Sequence, residues 1–171
     1  MRRALSFAAL LLAGSCGGGS PVSPTPTDTG PRAIVLNSGP YTFSLSFSPS
    51  GLPVCQNNFC FSTSLCIGTP AAVSSQYAVT LTRSGDDATI TVPGTSEPLV
   101  LTLHVGATSV SGTIAGSARD NSGVTVSVTG AVTGAAPSNT AIAVSGNIDG
   151  QMNVPGGSCS NNGHAWSLAP R

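Results

Sequence analysis

The sequence contains no lysine, and only 7% of its 171 residues are charged. Six arginines balance six acidic residues, so there is no basic surface of the kind that binds nucleic acid. Aromatic residues are also scarce, at 5%. After residue 16, no apolar run approaches the roughly 20 residues that a membrane-spanning helix needs. These absences exclude nucleic acid as a partner and a helical membrane protein as a class. The polarity that remains comes from Ser, Thr, Asn and Gly.

An export signal occupies the start of the chain. Arg2 and Arg3 precede an apolar run over 4–12, and small residues follow as far as Cys16. This order predicts a secretory signal peptide over 1–15. The segment AGSC that ends at Cys16 resembles the bacterial lipobox, in which the cysteine is diacylated and becomes the new N-terminus. The resemblance implies a lipid anchor in the bacterial outer membrane. Ordinary signal cleavage would instead give a periplasmic or secreted protein.

Residues 16–32 are predicted to form a flexible tether between that anchor and a folded domain. They contain Gly, Ser, Pro and Thr without hydrophobic periodicity, so they cannot bury enough apolar surface to order themselves. Prolines stiffen such a segment and hold the domain away from the membrane surface. The folded domain is therefore predicted over 33–171.

Three copies of one short pattern organise this domain. VSGTIAGSA starts at Val110, VTGAVTGAA at Val128 and VSGNIDGQM at Val144. Alternate residues of a strand share a face, so Val, Gly, Ile or Val, and Gly line one side of each copy. Short loops separate the copies. The pattern predicts three consecutive antiparallel strands whose Val, Ile and Gly positions face inward.

The same alternation elsewhere raises the count to eight predicted strands. They cover residues 41–48, 76–83, 88–93, 99–105, 109–119, 123–134, 140–152 and 163–169. Eight antiparallel strands suit an all-β up-and-down barrel, which closes its sheet edges and leaves room for side chains or one small ligand. A β-sandwich is the main alternative and a β-solenoid the third, because both accept similar patterns.

Four cysteines in the predicted domain indicate two disulfides in an exported protein. Cys55, Cys60 and Cys66 lie in the long first loop, over 49–75, where a short extra strand is also predicted; Cys159 lies in the seventh loop. A meander places both loops at the same end of the barrel. One bridge must therefore reach Cys159 and staple the barrel seam. The cysteines lack the close C-x2-C pairing of structural zinc, so we predict neither metal nor cofactor.

The barrel interior holds the candidate binding site. The side chains predicted to line a cavity for a small apolar ligand are Tyr41, Phe43, Tyr77, His164 and Trp166. The inward glycines of the repeat would open that cavity, unless aromatic side chains project across and fill it. For His164 the alternative is a structural residue, hydrogen-bonded near the disulfides.

The chain combines the motif at Cys16, the tether, strands such as YAVTLTRSGDDATITV and the terminal HAWSL. In this combination it resembles small bacterial lipoproteins with β-barrel domains. The architecture is also similar to that of lipocalins and avidins, which bind small molecules. The early G-x-W of lipocalins is absent, because the single tryptophan is Trp166. Their ligand chemistry is therefore not carried over to this chain.

Catalytic residues are not predicted, because the sequence has neither a G-x-S-x-G elbow nor a convincing pair of carboxylates. We therefore expect a non-enzymatic exported lipoprotein whose barrel binds a small apolar ligand or lipid. The alternative is a structural or protein-interaction module of the cell envelope, with a solid core and a partner surface on the first loop. A hydrolase that uses His164 is a more distant alternative.

Overall fold

The computed structural model describes residues 33–48, 53–56, 59–62, 65–68, 73–93, 96–137 and 140–171. The predicted signal peptide, Cys16 and the tether all lie outside these residues. Within them every element is a β-strand, and none forms a helix that could cross a bilayer. The strands are β1 (Gly39–Ser46), β2 (Pro53–Gln56), β3 (Phe59–Ser62), β4 (Leu65–Gly68), β5 (Ser74–Ser84), β6 (Asp87–Val92), β7 (Leu99–Val105), β8 (Ser109–Arg119), β9 (Thr125–Ala135), β10 (Val144–Val154) and β11 (Gly157–Pro170).

Eight of these strands form a closed antiparallel barrel. The order runs β1, β5, β6, β7, β8, β9, β10, β11, and the pairing of β1 with β11 closes the ring. Every strand from β5 to β11 pairs with its neighbour in sequence, because short turns connect them. The predicted up-and-down barrel is confirmed, and each predicted strand overlaps one strand of the ring.

The last two strands differ from the prediction. We expected a loop between 152 and 163, but β10 and β11 continue to a tight turn in which Val154 lies opposite Gly157. Gly156 has a φ of +90°, which favours glycine and lets the chain reverse there. Cys159 therefore lies in strand β11 and not in a loop. The prediction failed because Cys159 and Asn161 are flanked by Ser and Asn, so this stretch lacks the apolar alternation of a strand. Both side chains are nevertheless buried and face inward.

The long first loop contains three short strands. β2 and β3 form a separate hairpin, and β4 pairs with the first part of β11, where Cys66 lies opposite Cys159. The second part of β11 pairs with β1, from Ser46 opposite Ala165 to Tyr41 opposite Pro170. β4 thus continues the wall of the barrel beyond the point where β1 ends.

The inward positions of the repeat are confirmed. Side chains from β8, β9 and β10 that are at most 2% exposed are Val110, Ile114, Ala118, Val126, Val128, Val132, Val144, Ile148 and Met152. In register, Gly134 lies opposite Gly146, and Gly130 lies opposite Gly150. We call the inner faces of these three strands the repeat wall. We call β1, β4 and β11 the seam.

One end of the barrel is closed by the segment that precedes β1. Ile34 and Leu36 are buried in the core, 7% and 0% exposed. The Ile34 N–H donates to the Ala107 carbonyl at 2.8 Å, and the Val35 N–H donates to the Ala141 carbonyl at 2.8 Å. The Arg83 guanidinium donates to the Leu36 carbonyl at 2.8 Å. This segment therefore lies at the end of the barrel where β1 begins and β11 finishes, which is the end opposite Cys66 and Cys159.

Candidate functional site

The structure brings all five candidate cavity residues together inside the barrel. Tyr41 and Phe43 come from β1, Tyr77 from β5, and His164 and Trp166 from β11, which are three adjacent strands. Phe43 and Tyr77 lie opposite each other in register, with ring centroids 6.2 Å apart. The prediction that these residues share the interior is correct, but their surroundings differ from those of a cavity.

All five side chains are almost completely buried. Their exposed fractions are 0% for Phe43 and His164, 2% for Trp166, 4% for Tyr41 and 5% for Tyr77. A side chain that lines an open void retains accessible surface, whereas close-packed interiors leave almost none. The interior around these residues is therefore filled with side chains.

The inward glycines do not create empty space. A methyl group added at any of the six would overlap a backbone carbonyl of a neighbouring segment; the pairs are Gly112 with Thr102, Gly116 with Pro98, Gly130 with Asp149, Gly134 with Ser145, Gly146 with Thr133 and Gly150 with Thr129. The neighbouring backbone thus occupies the volume where a side chain would lie. These glycines allow close approach of strands in a tightly curved wall. Of the two predicted roles, curvature applies and cavity formation does not.

Trp166 reaches the repeat wall at one glycine. A methyl group on Gly134 would lie 3.0 Å from Cζ2 of Trp166. The indole N–H of Trp166 donates to the Thr133 carbonyl at 3.1 Å. The largest side chain of the core therefore packs where the wall has no side chain, and its one polar atom has a partner.

His164 has the alternative role predicted for it, that of a structural residue. Its Nδ1 accepts the Ser48 N–H at 3.1 Å, and Nε2 lies 3.1 Å from the Cys159 carbonyl, to which it donates as the neutral tautomer. The ring stacks on Phe47 with centroids 5.4 Å apart. Burial lowers the pKa of His164, and the bond to Cys159 offsets this only in part. Both ring nitrogens are thus engaged with the backbone.

An irregularity in the ladder produces this arrangement. The register between β10 and β11 shifts between Ile148, opposite His164, and Gly150, opposite Asn161. The Asn161 Oδ1 accepts the Gly163 N–H at 2.8 Å, and its Nδ2 donates to the Ser48 carbonyl at 2.6 Å. The bulge places Asn161 and His164 side by side, where together they hold the backbone of Ser48 after β1 ends. The sequence gives only a faint signal for this bulge, in Asn162 and Gly163.

The hydrolase alternative gains nothing from this geometry. His164 contacts the amide of Ser48, not a hydroxyl nucleophile. Among the described residues no three His, Cys, Asp or Glu side chains lie close enough to hold a metal ion.

Two buried hydroxyls were not foreseen. Ser75 and Tyr77 are 1% and 5% exposed, and neither oxygen has a hydrogen-bond partner among the described residues. Burial raises the pKa of Tyr77. The neighbouring Ser75 hydroxyl lowers it in part, and the Asp120 carboxylate adds to the rise. Their atoms are fully enclosed, so they mark a local polar imperfection of the core and not a ligand pocket.

The predicted disulfide from the first loop to Cys159 is confirmed. Cys66 and Cys159 form a disulfide with Cα atoms 4.0 Å apart, which joins β4 to β11. In the separate hairpin the backbones of Cys55 and Cys60 lie opposite each other in register. That register agrees with a second bridge between these two residues, which stays a prediction because their side chains are not described.

Open space lies on the outer surface instead. A groove of about 650 Å³ crosses β1, β5 and β6; its lining residues include Pro40, Ala78, Thr80, Thr91, Pro93 and Arg171. A smaller groove of about 360 Å³ lies over the seam, beside Ser44, Ser46 and Ser167. The alternation in the sequence predicts that these residues face outward. It contains no signal that a groove forms between them.

Comparison with known proteins adds no function. The sequence matches no protein-family model, and it has no significant match among curated proteins or solved structures.

Proposed function

We propose that this protein is a non-enzymatic, exported interaction module of the bacterial cell envelope, held to the membrane through Cys16, which binds its partner on the outer surface of a solid barrel. The observation that carries the proposal is the filled interior, in which all five candidate cavity residues are at most 5% exposed. A barrel that stored a small apolar molecule would need a void of roughly 300 Å³ or more beside these residues.

The composition of the outer wall supports recognition through short-range contacts. Thr82, Thr89, Thr102 and Thr113 lie opposite one another in register across four consecutive strands, and all four are exposed. Such a row offers hydroxyl and methyl groups without charge. Partners would not be attracted over long distances, so recognition would depend on short-range hydrogen bonds and shape.

The path of residues 33–38 supports a defined orientation of the barrel relative to the membrane. Residues 33–38 cross one end and fix Ile34 against the turn after β7. An anchor at Cys16 and a tether over 17–32 would therefore approach that end. The disulfide between Cys66 and Cys159 and the β2–β3 hairpin would then face away from the membrane, and the outer wall would stand upright and accessible.

Native mass spectrometry tests the filled interior directly. Full-length protein purified from its own bacterium under mild conditions should have the mass of the processed chain with its diacylglycerol and no further small molecule. A co-purifying apolar molecule that is lost on unfolding would overturn the proposal in favour of ligand storage. Replacement of Cys16 by Ala should release the protein from the membrane fraction, and membrane association of that variant would overturn the anchor.

Site-specific photo-crosslinking tests the interaction role. A benzophenone side chain placed singly at Thr80, Thr113 or Asn153 samples three parts of the outer surface, and all three residues are exposed. In living cells at least one position should give a light-dependent adduct of discrete mass. Absence of adducts from all three positions would contradict an interaction module that uses the barrel wall.

A further inference from the structure

The first part of strand β5 forms ladder pairs on one side only. The ladder between β5 and β6 consists of only four pairs, from Ser84 opposite Asp87 to Leu81 opposite Ile90. β5 itself begins seven residues earlier, at Ser74, and over that length it pairs with β1. Among the described residues, 74–80 form no ladder pair on the other side, although β6 itself continues to Val92.

The direction of the backbone groups follows from two hydrogen bonds. The Val73 carbonyl accepts the Phe47 N–H at 2.8 Å, and the Arg83 N–H donates to Oγ of Ser38 at 2.9 Å. Both bonds point toward β1, so the odd-numbered residues of β5 direct their N–H and C=O groups to that side. The even-numbered residues direct theirs to the other side. Ser74, Gln76 and Ala78 have no ladder partner there, and Thr80 adjoins the last pair of the ladder with β6.

The described end of the connection between β6 and β7, residues 96–98, contacts β8. The Glu97 carbonyl accepts the Ser117 N–H at 3.0 Å, and Pro98 forms a bridge with Ser117. These residues therefore lean toward β8, away from β5. Ser74, Gln76, Ala78 and Thr80 are all exposed. The 650 Å³ groove begins at this edge.

We propose that this groove binds an extended polypeptide strand, which adds to β5 in antiparallel orientation and bears an acidic residue near its N-terminal end. Backbone groups that repeat every second residue, roughly 6.7 Å apart, match an extended polypeptide and no other common polymer. An unpaired strand edge without charged side chains or proline is a template for such addition. This inference rests on the proposed interaction role and names its site and partner class.

The lining of the groove specifies the side chains of the guest. Arg171 contributes a cation beside Pro40, which lies opposite Thr80, and no acidic side chain is among the described lining residues. An antiparallel guest begins beside Thr80, so a carboxylate near its start meets the guanidinium. Threonines from β5 and β6 form the remaining walls, so the guest should carry small or β-branched side chains facing them.

The open edge can be tested first without any guest, by amide hydrogen exchange of the full domain. The amides of Ala78 and Thr80 should exchange at least about a hundredfold faster than those of Tyr77 and Val79, because only the odd-numbered amides bond to β1. Within the paired region, the Thr82 amide should be protected like its neighbours. Equal protection of odd and even amides over 74–80 would overturn the open edge, and with it the proposal.

Binding is tested with the acetylated and amidated hexapeptide ETITVT as probe. It should slow exchange at Ala78 and Thr80 and shift their amide resonances in a saturable manner. The same peptide with N-methyl groups on the alternate residues that face β5 keeps its side chains but loses those donors, and it should bind at least about tenfold more weakly. Equal binding of the two peptides, or no binding of ETITVT, would overturn strand addition.

Two variants locate the site. Ala78→Lys adds a charged side chain on the edge and should weaken ETITVT at least about tenfold, whereas the matched control Ala78→Ser should bind normally. Arg171→Gln should weaken ETITVT several-fold without changing the affinity for QTITVT. The melting temperature of each variant shows whether it remains folded. Unchanged affinity of folded Ala78→Lys would place binding elsewhere and overturn the proposal.

The crosslinking experiment separates this inference from the function on which it rests. Adducts from Thr80 that the ETITVT peptide suppresses would support both. Adducts from Thr113 or Asn153 alone would overturn the β5 site while the interaction role stands. Absence of adducts from every position would overturn the interaction role itself, even if the isolated domain bound the peptide.

Discussion

The repeat wall and the seam solve the problem of closing a small barrel in different ways. In the repeat wall, β8, β9 and β10 follow one another through short connections, and their glycines let adjacent backbones approach closely. At the seam, strands from the two ends of the domain must find each other, and large side chains, a bulge and a disulfide hold them. Local chain connectivity makes the first region simple, whereas non-local contacts stabilise the second.

The difference also locates the volume of the core. Of the largest fully buried side chains, the seam contributes Phe43, Leu45 and Trp166, and the repeat wall contributes Ile114, Ile148 and Met152. The two largest, Trp166 and Phe43, both belong to the seam. The two regions are therefore complementary in size, and four predictions test that complementarity in order of expected effect.

The largest effect is expected from filling a glycine of the repeat wall. Gly146→Val should destabilise the protein by more than about 4 kcal/mol or prevent folding, because its Cβ would overlap the Thr133 carbonyl, which belongs to the backbone and cannot rotate away. Chemical denaturation measures the change. Ser145→Val adds a similar side chain one residue earlier, on the exposed face, and should stay within about 0.5 kcal/mol of the parent. A well-folded Gly146→Val variant would show that curvature does not require this glycine.

Removal of the seam disulfide should come next. The Cys66–Cys159 bridge spans 93 residues, so replacement of both cysteines by Ala should cost about 4 to 5 kcal/mol in the entropic model. The predicted bridge between Cys55 and Cys60 would close a far shorter loop. Replacement of both residues by Ala should therefore lower the free energy of unfolding by at most about 2 kcal/mol. Urea denaturation of both double variants provides the comparison. If the two cost the same, the bridge would not act by joining distant segments.

The histidine of the seam should make stability depend on pH. His164 is buried and neutral in the folded state with a pKa lowered from 6.5, whereas the unfolded chain takes up a proton at the ordinary value. The unfolded state therefore binds more protons below pH 6.5. The free energy of unfolding should fall by about 1.4 kcal/mol per pH unit as the pH drops from there toward the lowered pKa. Above that range this residue adds no pH dependence.

Two variants identify the source of this slope. In His164→Gln the component of the slope due to this histidine should vanish, although the protein will be less stable at every pH. The control His104→Gln replaces the other histidine, which is exposed beside Asp87, and should retain the slope. If His164→Gln keeps the full slope, another group is responsible.

The smallest effect is expected at Gly134, where the Trp166 side chain packs against the repeat wall. Gly134→Ala should crowd two neighbours, because the new methyl group would lie 2.8 Å from the Ser145 carbonyl oxygen and 3.0 Å from Cζ2 of Trp166. Trp166→Phe removes that part of the ring. The double variant should therefore be more stable than the sum of the single changes predicts, by about 1 kcal/mol. Strict additivity would mean that Ser145, whose carbonyl also lies near that methyl position, limits the site instead.

The periodicity of the chain was enough to predict most of the barrel. Alternation of Tyr41, Phe43 and Leu45 with Thr and Ser, and the threefold repeat, identified strands and their inward faces, because side-chain direction in a strand is a local property. The placement of cysteines in two loops that share one end was enough to predict a seam disulfide to Cys159. The partner proved to be Cys66.

The nature of the interior was decided only by the tertiary structure. The same inward glycines were compatible with a cavity or with curvature, because that choice depends on how closely adjacent backbones approach, which no single strand encodes. The engagement of both nitrogens of His164 depends likewise on a bulge between β10 and β11 and on the path of the chain after β1.

The sequence by itself determined the fold class and the inward faces, because these follow from alternation. The address at the cell envelope stays a prediction from a linear motif. Tertiary structure decided that the interior is solid, that His164 is structural, and that β5 leaves β6 after four ladder pairs. Each of these depends on distances between segments remote in the chain. Binding is accordingly proposed on the outer wall, at an edge that becomes visible only when the pairing of every strand is known.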